Sequence, residues 1–231
     1  MKGVAGLGKI IGGHIDDRDF LATQWKFSDT TSDVRDGTLS YVMFDIGWAY
    51  SPTAGMRLGV FAGYHYWREK VPAYGLVCNQ ASVLGCPAAG ALALGYNTAD
   101  GRFEPTIHAV RIGVEGKYSF NQRWSVSGEI AGIPYAALRN GDSHLLRQSF
   151  NDLGPAPNII TTTNYAYGVE TEVFVNYAVT PNIEIRAGLR YWGVASRDGD
   201  VRFGPYFATG YDLNNFDQQR YGILLQAKGR F

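Results

Sequence analysis

The sequence predicts an all-β protein, an antiparallel up-and-down transmembrane β-barrel of about eight strands. Long stretches alternate apolar and polar residues with a period of two, and the polar positions carry charges of both signs. The connections between these stretches alternate between short and long. Because a strand turns successive side chains to opposite faces, we assign the apolar rows to lipid and the charged rows to a lumen.

Eight stretches carry the alternation, and most exceed the ~9–11 residues that a tilted membrane strand needs. In the stretch that starts at 183, Ile183, Ile185 and Leu189 share one face. Glu184, Arg186 and Arg190 share the other face of the same stretch. The predicted strands are 3–12, 38–51, 56–69, 105–118, 123–138, 163–179, 183–196 and 218–231.

The lengths of the connections support an up-and-down barrel. Short links at 52–55, 119–122 and 180–182 alternate with long ones at 13–37, 70–104, 139–162 and 197–217. In such a barrel, all the long loops lie on one side of the membrane and all the tight turns on the other. The structural alternative is a soluble antiparallel sheet with one solvent-exposed face, because its strands alternate apolar and polar residues with the same period of two.

Composition excludes several classes of protein. Lys+Arg 21 against Asp+Glu 21 gives a formal net charge of zero, which disfavours nucleic-acid binding. No apolar run approaches the ~20 residues of a spanning helix. The two cysteines, Cys78 and Cys86, predict a loop-closing disulfide in an oxidising compartment, with a pair of free thiols as the alternative. No third or fourth soft ligand lies near them in the sequence, which disfavours a zinc site.

Two groups of polar residues in the long loops suggest chemistry. Asp142 and His144 form an Asp-x-His pair, in which the carboxylate can orient an imidazole that takes a proton from water. Asp17 and Asp19 lie in another long loop on the same side. The alternative for both groups is an ordinary solvated loop. We expect the other two strand histidines, His65 and His108, to face the lumen.

Straight alternation from Trp124 would turn Asp142 and His144 outward, so the strand must shift its register by one. Gly132-Ile133-Pro134 is the natural position, since proline cannot donate to the ladder and glycine tolerates a bulge. We therefore predict a bulge or break between Gly132 and Asn140.

The chain also resembles the omptin family of outer-membrane proteases. MRLGVFAGY at 56–64 is similar to a family strand, and NYAVTPN at 176–182 is similar to a family turn. Asp17-Arg18-Asp19 followed by Phe20 matches the family's catalytic Asp-x-Asp-aromatic segment, and Asp142-Ser143-His144 matches its catalytic Asp-x-His.

This resemblance implies an aspartic-type endopeptidase that cleaves near basic residues. His144 would be the general base, Asp142 would orient it, and Asp17 with Asp19 would hold the water. The resemblance also implies no cofactor, a possible requirement for lipopolysaccharide bound at Tyr64 and Arg68, and peptide or protein substrates. It implies the outer membrane of a Gram-negative bacterium, with the active site facing outside.

The chain departs from the family in two respects. The family barrel has ten strands, so we expect residues 1–231 to form a single barrel domain that lacks N-terminal strands. Asn140 stands where the family has a second acid of its arginine-recognising pocket.

The functional alternatives are a catalytically inactive outer-membrane barrel that acts as an adhesin or structural protein, and a small diffusion channel.

Overall fold

The computed structural model is an antiparallel β-barrel sheet of eleven strands, described over residues 1–20, 26–81, 86–213 and 215–229. The side chains at 19, 20, 27 and 164 are outside this description. Within these ranges no helix is long and apolar enough to cross a membrane. The strands are β1 (Lys2–Ile10), β2 (Gly13–Phe20), β3 (Lys26–Val34), β4 (Gly37–Tyr50), β5 (Met56–Cys78), β6 (Ala99–Ser119), β7 (Trp124–His144), β8 (Ile159–Ala178), β9 (Ile183–Phe203), β10 (Gly210–Asp212) and β11 (Phe216–Gly229).

Chain order and spatial order agree along most of the sheet, as an up-and-down barrel requires. Strand β2 continues β1, β3 leads into β4, and β10 leads into β11, so eight long strands remain and the fold prediction is confirmed. Among the described residues, β1 pairs only with β4 and β11 only with β9, which makes these two strands the edges of the sheet.

The two faces of the strands differ as predicted. On β4, Val42, Ile46 and Trp48 point outward and are 51%, 62% and 67% exposed, whereas Met43 and Asp45 point inward and are 1% and 3% exposed. The same alternation follows β5 to β9 through the lower part of the barrel. An outer surface of this kind, apolar and continuous across strands, is suited to contact with hydrocarbon.

A layer of ion pairs crosses the interior. The guanidinium of Arg111 is fully buried, with Nη2 2.5 Å from Glu129 Oε1, Nη1 3.4 Å from Glu170 Oε2 and Nε 3.6 Å from Asp45 Oδ1. Arg190 Nε lies 3.5 Å from Glu170 Oε1 and adds a second cation to the layer. The predicted assignment of the charged rows to the lumen is therefore confirmed, and charges of opposite sign lie side by side there.

An apolar layer lies between the ion pairs and Asn140 along β7, and the sequence analysis did not predict it. Trp67 stacks on Tyr41 and on Trp192, with ring centroids 5.4 Å apart in both pairs. Aliphatic side chains and Met43 surround the three rings, which fills the lumen below the barrel mouth. They are Met43, Ile107, Ala109, Ile133, Ala136, Leu138, Ala166 and Val194.

Several stretches predicted as loops are strands, and this prediction was wrong. Gly13–Phe20 and Lys26–Val34 form a hairpin within the first predicted loop, and β5 runs on to Cys78. Strand β7 likewise runs to His144 and β9 to Phe203. In most of these stretches polar residues occupy both faces of the strand, so the apolar alternation that marks a membrane strand is absent there.

The predicted bulge is present on β7. Gly132 pairs with Ile112 but Tyr135 pairs with Val110, so two residues of β7 lie opposite Arg111 alone. Below the shift the odd-numbered residues face the lumen, and above it the even-numbered ones do. The bulge is therefore the feature that directs the end of β7 into the barrel mouth.

Candidate active site

Asp142 and His144 lie at the end of β7, two residues apart on the lumen face. His144 Nε2 is 3.4 Å from Asp142 Oδ2, and the side chains are 23% and 14% exposed. The pair is thus partly shielded from water yet open to the barrel mouth. In this arrangement, a carboxylate can fix the orientation of an imidazole and stabilise its protonated form.

The surroundings raise the pKa of His144 above its ordinary value of 6.5. The hydrogen bond to Asp142 has the largest effect, and burial opposes it by disfavouring the charged ring. The negative charges of Asp142 and Asp17 raise the pKa further, whereas the charge of Arg147 lowers it. An imidazole of this kind is a stronger base than a solvated one.

Asp17 approaches the pair from another strand, although it lies more than a hundred residues away in sequence. It lies on β2 opposite Thr30 of β3, in the β2–β3 hairpin. Its negative charge raises the pKa of His144, so Asp17 lies within electrostatic range of the Asp142–His144 pair. The backbone of Asp19 is on the same strand, opposite Ser28, and its side chain lies outside the described residues.

Asn158 is part of the site and was not predicted from sequence. It lies in the β7–β8 loop and is fully buried. Its Oδ1 accepts a hydrogen bond from His144 N at 2.9 Å, and its own N–H donates to Asp142 O at 2.9 Å. An asparagine between Pro157 and a strand reads as an ordinary turn residue, so no local signal indicates this role.

Asn140, at the position where the omptin resemblance implies an acid, faces the lumen one layer below the pair. It is 8% exposed, and its Oδ1 accepts a hydrogen bond from Glu104 N at 3.1 Å. The residue therefore supports the β6–β7 ladder and brings no charge to this part of the lumen.

No protein-family model matches this sequence, and no curated protein matches it significantly. Among solved structures, the crystal structure of the outer membrane protease OmpT from Escherichia coli aligns with a TM-score of 0.68. The alignment covers 99% of this chain and 96% of that one, at 14% sequence identity. The chain has an omptin-like fold. Identity at this level shows the fold alone.

The hairpin that carries Asp17 is fastened to the rest of the omptin-like barrel. Cys78 and Cys86 form a disulfide at the end of β5, and Thr30 of the hairpin pairs with Cys78. Next to it, Asn79 Nδ2 donates to Asp29 Oδ1 at 2.7 Å.

Among the described residues, no group of three His, Cys, Asp or Glu side chains is arranged to hold a metal ion.

Tyr64 and Arg68 face outward from the omptin-like barrel, on the same side of β5 as Tyr66. His108 lies beside them on the outer surface, with Nδ1 2.5 Å from the Tyr64 hydroxyl, so its predicted lumen position was wrong. The tyrosine hydroxyl provides a polar partner for the imidazole there. His65, by contrast, faces the lumen and is 1% exposed, as predicted.

Arg139 extends the outward row beyond the residues that sequence analysis named. It pairs with Thr106 of β6, which pairs in turn with Arg68 of β5. Neighbouring strands lie about 4.8 Å apart, so the Cα atoms of Arg68 and Arg139, two strands apart, are separated by roughly 10 Å. The row thus presents two outward cations on either side of a hydroxyl.

Proposed function

We propose that this protein is an endopeptidase that hydrolyses peptide bonds with a water molecule activated by His144 and Asp142. The observation that carries the proposal is the 3.4 Å approach of His144 Nε2 to Asp142 Oδ2 at the barrel mouth, within range of the charge of Asp17. The likeness to OmpT, an outer membrane protease, supports it at the level of fold.

In the proposed reaction His144 is the general base. Because Nε2 faces Asp142, Nδ1 is the nitrogen that takes a proton from water as the water oxygen attacks the peptide carbonyl carbon. Asp142 stabilises the resulting imidazolium. The imidazolium then returns the proton to the amide nitrogen as the C–N bond breaks, which releases a carboxylic acid and an amine.

Asp17 and Asp19 hold the attacking water from the opposite side of the mouth. Water is a poor nucleophile unless it is oriented. When it is held next to the peptide carbonyl, its attack no longer depends on a chance collision, which lowers the entropic part of the barrier. The carboxylates of Asp17 and Asp142 also favour substrates with basic side chains near the cleaved bond. Because Asn140 is uncharged, this preference is expected to be weaker than in a pocket with two acids.

We further propose that the protein lies in the outer membrane of a Gram-negative bacterium with its mouth outside the cell. The partner on the outer surface is lipopolysaccharide, held by Tyr64 and Arg68. Two outward arginines on either side of Thr106 suit its phosphate groups, because a guanidinium can bind two phosphate oxygens at once. Activity would then depend on this lipid, and no other cofactor is needed.

The test is cleavage of a fluorogenic peptide with paired basic residues by refolded protein, with lipopolysaccharide present. His144→Ala should lose activity by about a hundredfold or more, since a positioned base contributes on the order of 10²–10⁴ in rate. His14→Ala is the matched control, because His14 is an exposed histidine on the same side of the barrel. No cleavage by the parent, or equal cleavage by His144→Ala, would favour the non-enzymatic barrel.

A further inference from the structure

Asn158 contacts the backbone of both members of the candidate pair. Its Oδ1 accepts from His144 N at 2.9 Å, while its Nδ2 donates to His144 O at 3.1 Å and to Gly154 O at 3.1 Å. Its main-chain N–H donates to Asp142 O at 2.9 Å. One side chain and one peptide group therefore hold the main chain at both positions of the Asp-x-His motif.

The other side of Asn158 is tied to a second loop. Its carbonyl accepts a hydrogen bond from Gly204 N at 2.8 Å, in the connection that follows β9. The two loops approach so closely that a Cβ on Gly204 would lie 2.0 Å from Leu153 O, and one on Gly154 would lie 2.7 Å from Pro205 Cβ. Asn158 thus connects the end of β7 to a packed region of two loops.

We propose that Asn158 is a positioning residue, which holds the backbone of Asp142 and His144 so that the imidazole and the carboxylate stay in contact. This role rests on the proposed function. On one side, the end of β7 pairs with β6 as far as His144. On the other side, the pairing with β8 ends at Asp142, and a strand end with partners on one side only frays more easily. The side chain of Asn158 supplies the missing partner at His144.

The chemistry of an amide is needed at this position. His144 offers both its N–H and its carbonyl to one side chain, so the partner must accept and donate at once, as Asn does. Alanine would remove the acceptor of His144 N, while His144 O would keep only the N–H of Arg147 as a partner. Aspartate would keep the acceptor but place an oxygen opposite two carbonyls.

The experiment compares Asn158→Ala with Asn151→Ala in full-length refolded protein. Asn151 is an asparagine in the same loop with an exposed side chain, so it controls for any general effect of loop substitution. Two quantities are measured. The first is the titration of His144 by NMR with labelled histidine, identified by comparison with His144→Ala. The second is kcat and KM for the fluorogenic peptide.

We expect Asn158→Ala to lower the pKa of His144, because a looser strand end weakens the hydrogen bond to Asp142. We expect kcat to fall by about a hundredfold with little change in KM, as misplacement of a catalytic group does. Asn151→Ala should match the parent in both measurements. Asn158→Ala that titrates and cleaves like Asn151→Ala would overturn the proposal.

The NMR titration separates the two proposals. If the parent does not cleave the peptide, the proposed function fails, yet a lowered His144 pKa in Asn158→Ala still supports positioning by Asn158. If Asn158→Ala does not fold, Asn158→Asp is measured in its place. Parent-like kcat in Asn158→Asp would overturn the need for the amide donor, and a reduced kcat with parent-like KM would support it.

Discussion

His144 Nε2 lies 3.4 Å from Asp142 Oδ2 on the lumen face of β7, above a change in the register of that strand. Without the extra residue between Gly132 and Tyr135, the alternation that starts at Trp124 would turn both side chains toward the outer surface. The geometry of the candidate site therefore depends on a backbone irregularity seven or more residues away.

Deletion of Tyr135 tests this dependence. Removing one residue from the bulge should restore regular pairing and turn Asp142 and His144 outward, so peptide cleavage should fall by about a hundredfold or more. Insertion of one glycine after Leu138 in the deletion variant should turn the pair inward again and recover part of the activity. Cleavage rates and far-ultraviolet circular dichroism would be measured together. Full activity in a folded deletion variant would contradict the role of the bulge.

Arg111→Met tests the ion pairs of the lumen. The guanidinium compensates three nearly buried carboxylates, and removal of one partner from such a group typically costs about 3–5 kcal/mol. The urea midpoint of unfolding in detergent micelles should fall accordingly. Arg123→Met, at an exposed turn, should leave the midpoint near that of the parent. Equal midpoints for the two variants would show that the layer does not stabilise the barrel.

Arg68→Ala tests the lipid surface. Loss of a charged hydrogen-bonding group should weaken binding to lipopolysaccharide by about tenfold or more, because such bonds contribute about 1.5–3 kcal/mol. Binding would be measured by fluorescence titration with lipopolysaccharide vesicles. Arg139→Ala should weaken binding as well, whereas Arg123→Ala, at the opposite end of the barrel, should not. Unchanged affinity in both outer-row variants would remove this surface from the proposal.

The lower part of the barrel could be predicted from sequence because the two faces of each strand have different surroundings. Val42 and Ile46 are exposed on the outer face while Asp45 lies beside buried cations, and this contrast is visible in the sequence as alternation. The hairpin of β2 and β3 gives no such signal. Its inward residues include Thr30 and Ser32, which are polar although they are buried.

The candidate site was predicted in part. Asp142, His144 and Asp17 are visible as motifs because their chemistry is carried by side-chain type. Asn158 is not visible as a motif, because its side chain bonds to the main chain of His144. Main-chain groups are the same at nearly every residue, so they leave no pattern in the sequence. The stack of Tyr41, Trp67 and Trp192 was also missed, since it joins aromatic rings from three separate strands.

The pH dependence of cleavage tests the central claim most directly. His144 acts as a base only when its ring is neutral, so kcat/KM should rise with pH through the raised pKa of His144, above 6.5. Asp142→Asn removes the main cause of the raised pKa and leaves burial, which lowers the pKa more than the charge of Asp17 raises it. The rising limb of the pH profile should therefore move to lower pH while the maximal rate falls. In both the parent and Asp142→Asn, the rising limb of the pH profile of kcat/KM should coincide with the NMR titration of His144. A limb that does not move in Asp142→Asn, or that does not follow His144, would contradict the account.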